Sequence, residues 1–359
     1  MIKSWIFEFF NPFHGTGAPA FEPRQCADDF AWYLGQWQLA EEQGFEGIFF
    51  SEHHFVPGRL SPAPNLLIAA TAARTRTLRL GVMGQVLPFY EPWKVAEECG
   101  VLDQLSGGRL EMGFSSGVGP REFSAIGLPA EEIKPRFAEA LTIIDQALRQ
   151  SRFTHHGRFW NFDDLAISPR TLQQPLPPRW ITGLSPETSA QAARDGYKLC
   201  TGFSSVERVK LLFDAYRDAA RAAGRTTDAS WLGLRRQIFI AGNDTEARAI
   251  GAEALAQMRQ MFAGPPPSQA GGVEPDRRRE VHAVPDAPAP KHGTSMIADE
   301  ENISGSPSNV AAQIIEQCRA TGAGHILGYV PRPITRTQLA RSQELWRQVI
   351  AELAHANVN

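Results

Sequence analysis

Residues 78–117 read LRLGVMGQVLPFYEPWKVAEECGVLDQLSGGRLEMGFSSG. The two ends, Leu78–Met83 and Arg109–Phe114, are short apolar runs of the length and composition of buried strands. Between them Val95, Ala96, Cys99 and Leu102 recur at helical spacing after Pro92. Proline suits a first helical turn, and Gly107-Gly108 supplies the stop. The unit is strand, helix, strand, from which a parallel sheet is built.

The same alternation continues in both directions. Upstream lie a strand at Ile2–Phe9, a helix carrying Phe30, Tyr33, Leu34, Trp37 and Ala40 and stopped by Gly44, a strand at Gly47–Phe50, and a helix at Asn65–Ala73. Downstream, a helix at Glu131–Gln150 leads into a β-rich excursion, FTHHGRFWNFDDLAI, and the proline-rich QQPLPPRW. Strands then follow at Trp180–Thr182, Tyr197–Thr201, Leu234–Ala241 and His325–Tyr329, with helices between them and a last helix bearing Leu345, Trp346, Val349 and Leu353. Eight short strands separated by helices predict an α/β fold, a closed (β/α)8 TIM barrel, formed by the 359-residue chain as one domain. An open doubly wound sheet is the alternative. It usually has fewer strands, and its dinucleotide-binding versions open on GxGxxG, whereas Gly113, Gly117 and Gly119 have the wrong spacing. Residues 263–302 break the pattern with proline, glycine and charge. They are expected to form a long mobile insertion, a lid loop near strand 7.

A formal charge of -3 gives no support for nucleic-acid or membrane-surface binding. No apolar stretch approaches the length of a membrane span. The opening MIKSWIFEFF lacks the long apolar core and cleavage site of a secretory signal. A cytoplasmic protein is expected. Cys26, Cys99, Cys200 and Cys318 are far apart and read as reduced, buried residues.

Barrel active sites are built by loops at the C-terminal ends of the strands. That rule selects Asn11-Pro12-Phe13-His14, Ser51-Glu52-His53-His54-Phe55, Gly84-Gln85-Val86-Leu87-Pro88, Ser115-Ser116-Gly117 and Gly183-Leu184-Ser185-Pro186-Glu187-Thr188. Two imidazoles and a carboxylate make SEHHF the densest in chemistry. Adjacent histidines on an extended segment point to opposite sides and seldom share one metal ion. A general base fits better, and two structural histidines remain an alternative. Ser185 reads as a helix N-cap. With Thr188 and Ser189 on the same turn it also reads as a phosphate site, where helix N–H groups and hydroxyls converge. Phe10, Phe13, Phe55, Phe89 and Tyr90 either line a pocket or pack in the core.

Glu52-His53-His54-Phe55, followed by NLLIAATAARTRTLRLGVMGQVLP and VLDQLSGGRLEMGFSSG, resembles the bacterial-luciferase-like flavin monooxygenases. A weaker likeness continues through QQPLPPRWITGLSPETSAQAA and GAGHILGY. The resemblance implies a (β/α)8 barrel, usually a homodimer, that takes reduced FMN from a separate flavin reductase. With dioxygen it would oxidise a small, mainly apolar substrate through a flavin hydroperoxide, by hydroxylation or Baeyer–Villiger chemistry. It also implies a catalytic role for His53, the first histidine of the motif, beside which Glu52 and His54 are catalytic candidates from their place at the strand end. Cofactor contacts would come from Met83, Gly84, Ser115, Ser116, Leu184, Ser185 and Thr188, with a non-prolyl cis bond at Met83–Gly84. Ser115 and Ser116 stand where luciferase has a cysteine and an arginine. No metal is implied. A deazaflavin-dependent hydride-transfer oxidoreductase and a non-catalytic flavin-binding protein are the alternative functions.

Overall fold

Arg79–Val82 and Leu110–Ser115 are neighbouring parallel strands, with Leu80 beside Leu110 and Gly81 beside Glu111. The helix joining them, Pro92–Ser106, buries Val95, Ala96, Cys99 and Leu102 and ends on Gly107 at φ 65°. The computed structural model describes residues 1–13, 22–55, 58–117, 119–263, 297–330 and 334–357. Six more parallel strands complete a ring. In chain order the eight are β1 (Lys3–Glu8), β2 (Gly47–Phe50), β3 (Arg79–Val82), β4 (Leu110–Ser115), β5 (Arg179–Thr182), β6 (Lys198–Thr201), β7 (Leu232–Ile240) and β8 (His325–Tyr329). Each pairs with the next, and β8 pairs with β1, so the barrel closes without a free edge. The excursion is an antiparallel hairpin of Phe153–His156 and Asn161–Leu165.

Alternation along each strand divides the apolar residues into two cores. The larger fills the space between barrel and helices. The smaller fills the lumen with Trp5, Phe7, Phe49, Met83, Trp180, Cys200, Leu327 and Tyr329. Polar groups brace the lower lumen. The Trp180 indole donates to Glu111 Oε2 at 2.6 Å, and Arg79 pairs with the other oxygen of Glu111. The Trp5 indole donates to His325 Nδ1 at 2.8 Å, and burial pulls the His325 pKa down to about 3, so the imidazole is neutral. With this end filled, chemistry is confined to the C-terminal mouth.

The close strand packing demands glycine at specific points. A Cβ on Gly113 would sit 2.0 Å from the Val82 carbonyl oxygen, a backbone atom that cannot rotate away. Gly113→Ala is expected to destabilise the fold by about 1–3 kcal/mol, the usual cost of overpacking. Urea unfolding should show a lower midpoint at an unchanged slope.

One expectation needs correction. Of the insertion at 263–302, residues 264–296 lie outside the described residues, but its far end is built into the barrel wall. Ile297 is buried and its carbonyl accepts from Arg259 at 2.7 Å. Asp299–Glu301 is a short 3-10 turn, and Asn302–Gly305 is a strand paired with the upper half of β7. Of the two readings given for Phe10 and Phe13, core packing holds. Phe10, at φ 50°, is fully buried against Phe30, Tyr33 and Trp37. Phe13 packs on Trp32 and Tyr33. Both belong to the outer core, because the chain turns outward after Phe9. His14 lies outside the described residues.

Candidate active site

The loop after β2 presents its three polar side chains to different partners. Glu52 has a fully buried side chain. One oxygen accepts from the Val86 N–H at 3.2 Å and the other meets His54 Nε2 at 2.8 Å. The Tyr90 hydroxyl is bonded to the same carboxylate, and burial beside that charge raises its pKa. His54 is thus tied into a structural network and packs edge-on against Phe89. Its hydrogen bond to Glu52 raises its pKa, against the opposing effect of burial.

That shift has a consequence for stability. A histidine whose folded pKa is raised adds stability fully present below its unfolded pKa of about 6.5 and lost as pH rises through the folded value. His54→Gln should therefore lose less stability than wild type on going from slightly acidic to mildly alkaline buffer. Denaturant midpoints at the two pH values check this, and equal slopes for both proteins would refute it.

His53 faces the other way. Its ring stacks on Phe9 at 6.1 Å between centroids, and Phe9 packs on the lumen core. Nδ1 lies 3.4 Å from Glu122 Oε1, leaving Nε2 unengaged among the described residues. Glu122 is 5% exposed and also accepts from the His54 backbone N–H at 3.3 Å, so one carboxylate orients the whole segment. No sequence signal marks Glu122, which stands on the short helix Pro120–Ala125, just beyond Ser115-Ser116-Gly117 at the end of β4. The divergent histidines suit proton transfer better than a shared metal. Among the described residues no three or more His, Cys, Asp or Glu side chains form a ligand set.

The residues assigned to cofactor fall into two groups. Met83 lies in the lumen core, Met83–Gly84 is a cis peptide, and Ser115 Oγ donates to the Gly84 carbonyl at 3.3 Å. A Cβ on Gly84 would lie 2.7 Å from the Phe114 backbone, so only glycine fits this crossing. Phe114 pairs with Ile181, which puts Ser115 level with Thr182. Thr182 Oγ1 is buried without a hydrogen-bond partner among the described residues, and Gln85 Nε2, also buried, has only the Tyr90 hydroxyl within reach. Such unmet groups fit the polar edge of a heteroaromatic ring. Ser116, next in the chain to Ser115, is half-buried.

The second group is the turn after β5. Ser185 caps the helix Pro186–Asp195, accepting from the Thr188 N–H at 3.2 Å, with the two hydroxyls 3.3 Å apart. Leu184 is 47% exposed beside them. Glu187 is on this turn too. Its carboxylate is held below the usual range by its own backbone N–H, then by the Ser185 hydroxyl, with smaller help from Arg208 and Lys134. Those two bases supply positive charge that the sequence reading lacked. They come from helices Ala130–Arg149 and Val206–Ala222, far away in the chain, so no local motif announces them.

A cavity of about 40 Å³ lies between β1, β8 and the flanking helices, bordered by Tyr33, Trp37, Gln343 and Trp346. It is outside the lumen and has room for little more than water, so it is not the reaction site.

The fold and sequence have known counterparts. The chain is similar to y4vJ of Sinorhizobium fredii, an uncharacterized protein, at 37% identity over 62% of this chain and 64% of that one. It is similar to the oxygenase component of the flavin-dependent trigonelline monooxygenase of Acinetobacter baylyi at 34% identity, over 60% and 61%. The match therefore spans just under two thirds of the length of each relative. The solved structure of the monooxygenase RslO1 from Streptomyces bottropensis superposes with a TM-score of 0.80 at 26% identity, covering 98% of this chain and 99% of that one. The luciferase-like monooxygenase model matches residues 5–325, nearly the whole barrel, and the chain belongs to that family.

Proposed function

We propose that this protein is the oxygenase component of a two-component monooxygenase, using reduced FMN and dioxygen on a small organic substrate. The observation that carries the reading is His53: an imidazole held by Glu122 at the mouth of an apolar lumen. FMN, when bound, supplies the oxygen activation. The chain supplies the rest. Ser185 and Thr188, with Lys134 and Arg208 nearby, are placed to hold the phosphate. Met83, Gly84 and Ser115 form a surface for the ring, with Thr182 and Gln85 offering hydrogen bonds. His53 Nε2 is placed to hold or move a proton, while Phe89 and the Glu52–His54–Tyr90 network help keep water out.

The protein would act as a homodimer in the cytoplasm. Leu66, Val101 and Leu105 are exposed on neighbouring helices, and a second copy would cover them. Among the described residues no helix is long and apolar enough to cross a membrane.

The test supplies FMN, NADH, dioxygen and a separate flavin reductase. Products from aldehydes, terpenoids, aromatics and polyketides would be sought by mass spectrometry with ¹⁸O-labelled dioxygen. Label in a product supports the reading. Without the reductase, NADH should leave the protein's FMN unbleached in stopped flow, since no dinucleotide fingerprint is present. Bleaching at the rate of turnover, or tight binding of a deazaflavin in place of FMN, would overturn it.

A further inference from the structure

Arg235, Arg236 and Glu301 form a buried triad in the barrel wall. Arg235 Nη2 meets Glu301 Oε1 at 2.9 Å and Arg236 Nη1 meets Oε2 at 3.0 Å, and Glu301 also accepts from the Phe203 N–H at 2.8 Å. Two guanidinium groups share a single carboxylate, so the triad carries one surplus positive charge. Burying an unbalanced charge is costly. The fold needs only one arginine to neutralise Glu301, and Arg236, fully buried on the helix side and bonded to Gln317, already does so.

Arg235 points the other way, into the lumen. Its guanidinium carbon lies 3.3 Å from the centre of the Phe203 ring, 5.0 Å from Tyr329 and 5.6 Å from Phe7, of which Tyr329 and Phe7 are lumen residues. The residue is 4% exposed; its guanidinium reaches the Tyr329 hydroxyl, yet Nη1 is buried with no partner of its own among the described residues. The Tyr329 hydroxyl beside the guanidinium donates to Met258 Sδ at 3.1 Å. Phe9 joins this aromatic wall by packing edge-on against Tyr329 at 5.2 Å, and His53 stacks on the far side of the wall, against Phe9. A surplus cation, an unmet N–H and a ring-lined wall leading to His53 thus occur together.

We propose that Arg235 anchors an anionic group of the substrate, a carboxylate, and that the substrate class is small carboxylates with an apolar or aromatic body. The body would lie along Phe7, Phe9 and Tyr329, which brings it toward His53. The proposal rests on the lumen mouth being the monooxygenase site and narrows the substrate from organic molecules in general to anions. Arginine suits the role because its planar fork stays charged when buried and matches carboxylate geometry.

Calorimetric titration of the full-length protein, flavin-free and FMN-saturated, with benzoate and hexanoate and with their primary amides tests the idea. In wild type at least one carboxylate should bind roughly tenfold to a hundredfold more tightly than its amide, the effect of one charge-assisted bond. Arg235→Met should abolish that preference and leave FMN affinity unchanged. This variant keeps the neutral Arg236–Glu301 pair, so it should fold. If circular dichroism shows that it does not, Arg235→Lys, which keeps the charge but loses the fork, should lower the preference. Equal affinity of acid and amide in wild type, no binding of either carboxylate at millimolar concentration, or a preference that survives in the variants overturns the proposal. So does loss of FMN affinity in Arg235→Met, which would assign the surplus charge to the flavin. Carboxylate preference in a wild type that binds no FMN would instead sink the monooxygenase reading and leave the anion site standing.

Discussion

His53→Ala is expected to lower turnover by roughly two to four decades, the usual range for removal of a general acid–base group, while FMN still binds. The expectation follows from how the loop divides its labour. His54 is held by Glu52 at 2.8 Å and packed against Phe89, so its ring nitrogen is committed to structure. His53 uses only Nδ1 on Glu122 and rests a face on Phe9, which leaves Nε2 for a reacting atom. His54→Ala should therefore reduce stability more than chemistry, and His53→Ala the reverse. Glu122 is a positioning residue in this scheme. Glu122→Gln keeps a hydrogen bond but removes the charge beside the imidazole, so it should move the pH profile of turnover rather than abolish turnover. Single-turnover product formation with pre-reduced FMN, across pH, separates the three variants. Wild-type turnover in His53→Ala would remove the assignment. A loss of FMN affinity matching the loss of rate would make His53 a binding residue instead.

Much of this arrangement could be read from the chain because barrel strands are local objects. Gly47–Phe50 or His325–Tyr329 is a short apolar run between helix signals, and buried parallel strands look like that. Helix ends are equally legible where glycine marks them, as at Gly44 and Gly107, both at positive φ. The rule that function gathers at strand C-termini points to Glu52, His53, Ser115 and Ser185, and the structure does place these residues at strand ends. What could not be read depends on partners distant in sequence. Glu301 lies in a segment whose composition suggests only loop, yet it is fully buried because two arginines of β7 reach it. Asn302–Gly305 is a strand only because the long β7 has an upper half left to pair. Phe10 has the same sequence credentials as Phe9. One residue of left-handed backbone, at φ 50°, sends it to the outer core while Phe9 stays with the lumen. An apolar residue at a strand end carries no mark of which way the chain will turn.

The turn after β5 gives the second large expected effect. In the double variant Ser185→Ala, Thr188→Ala, reduced FMN should bind roughly one to three decades more weakly, at about 1.4 kcal/mol per decade and about 1.5–3 kcal/mol for each charge-assisted bond. The two hydroxyls are 3.3 Å apart at the start of a helix, where the helix dipole favours an anion. Riboflavin lacks the phosphate, so its affinity should barely change. The structure adds a competitor and a source of attraction. The Glu187 carboxylate is held below the usual range by its own backbone N–H and the Ser185 hydroxyl, with smaller help from Arg208 and Lys134. A phosphate arriving at this turn would displace Glu187 from those donors and take over the same two cations, so Glu187→Gln should strengthen FMN binding, again without effect on riboflavin. Plain helix capping makes the opposite forecast. Ser185 accepts from the Thr188 N–H at 3.2 Å, and losing that cap alone would cost about 1 kcal/mol of stability, weaken both flavins alike and leave Glu187→Gln silent. Titrating FMN and riboflavin against wild type and both variants distinguishes the two cases. Equal weakening of the two flavins, or no gain from Glu187→Gln, would take the phosphate away from this turn.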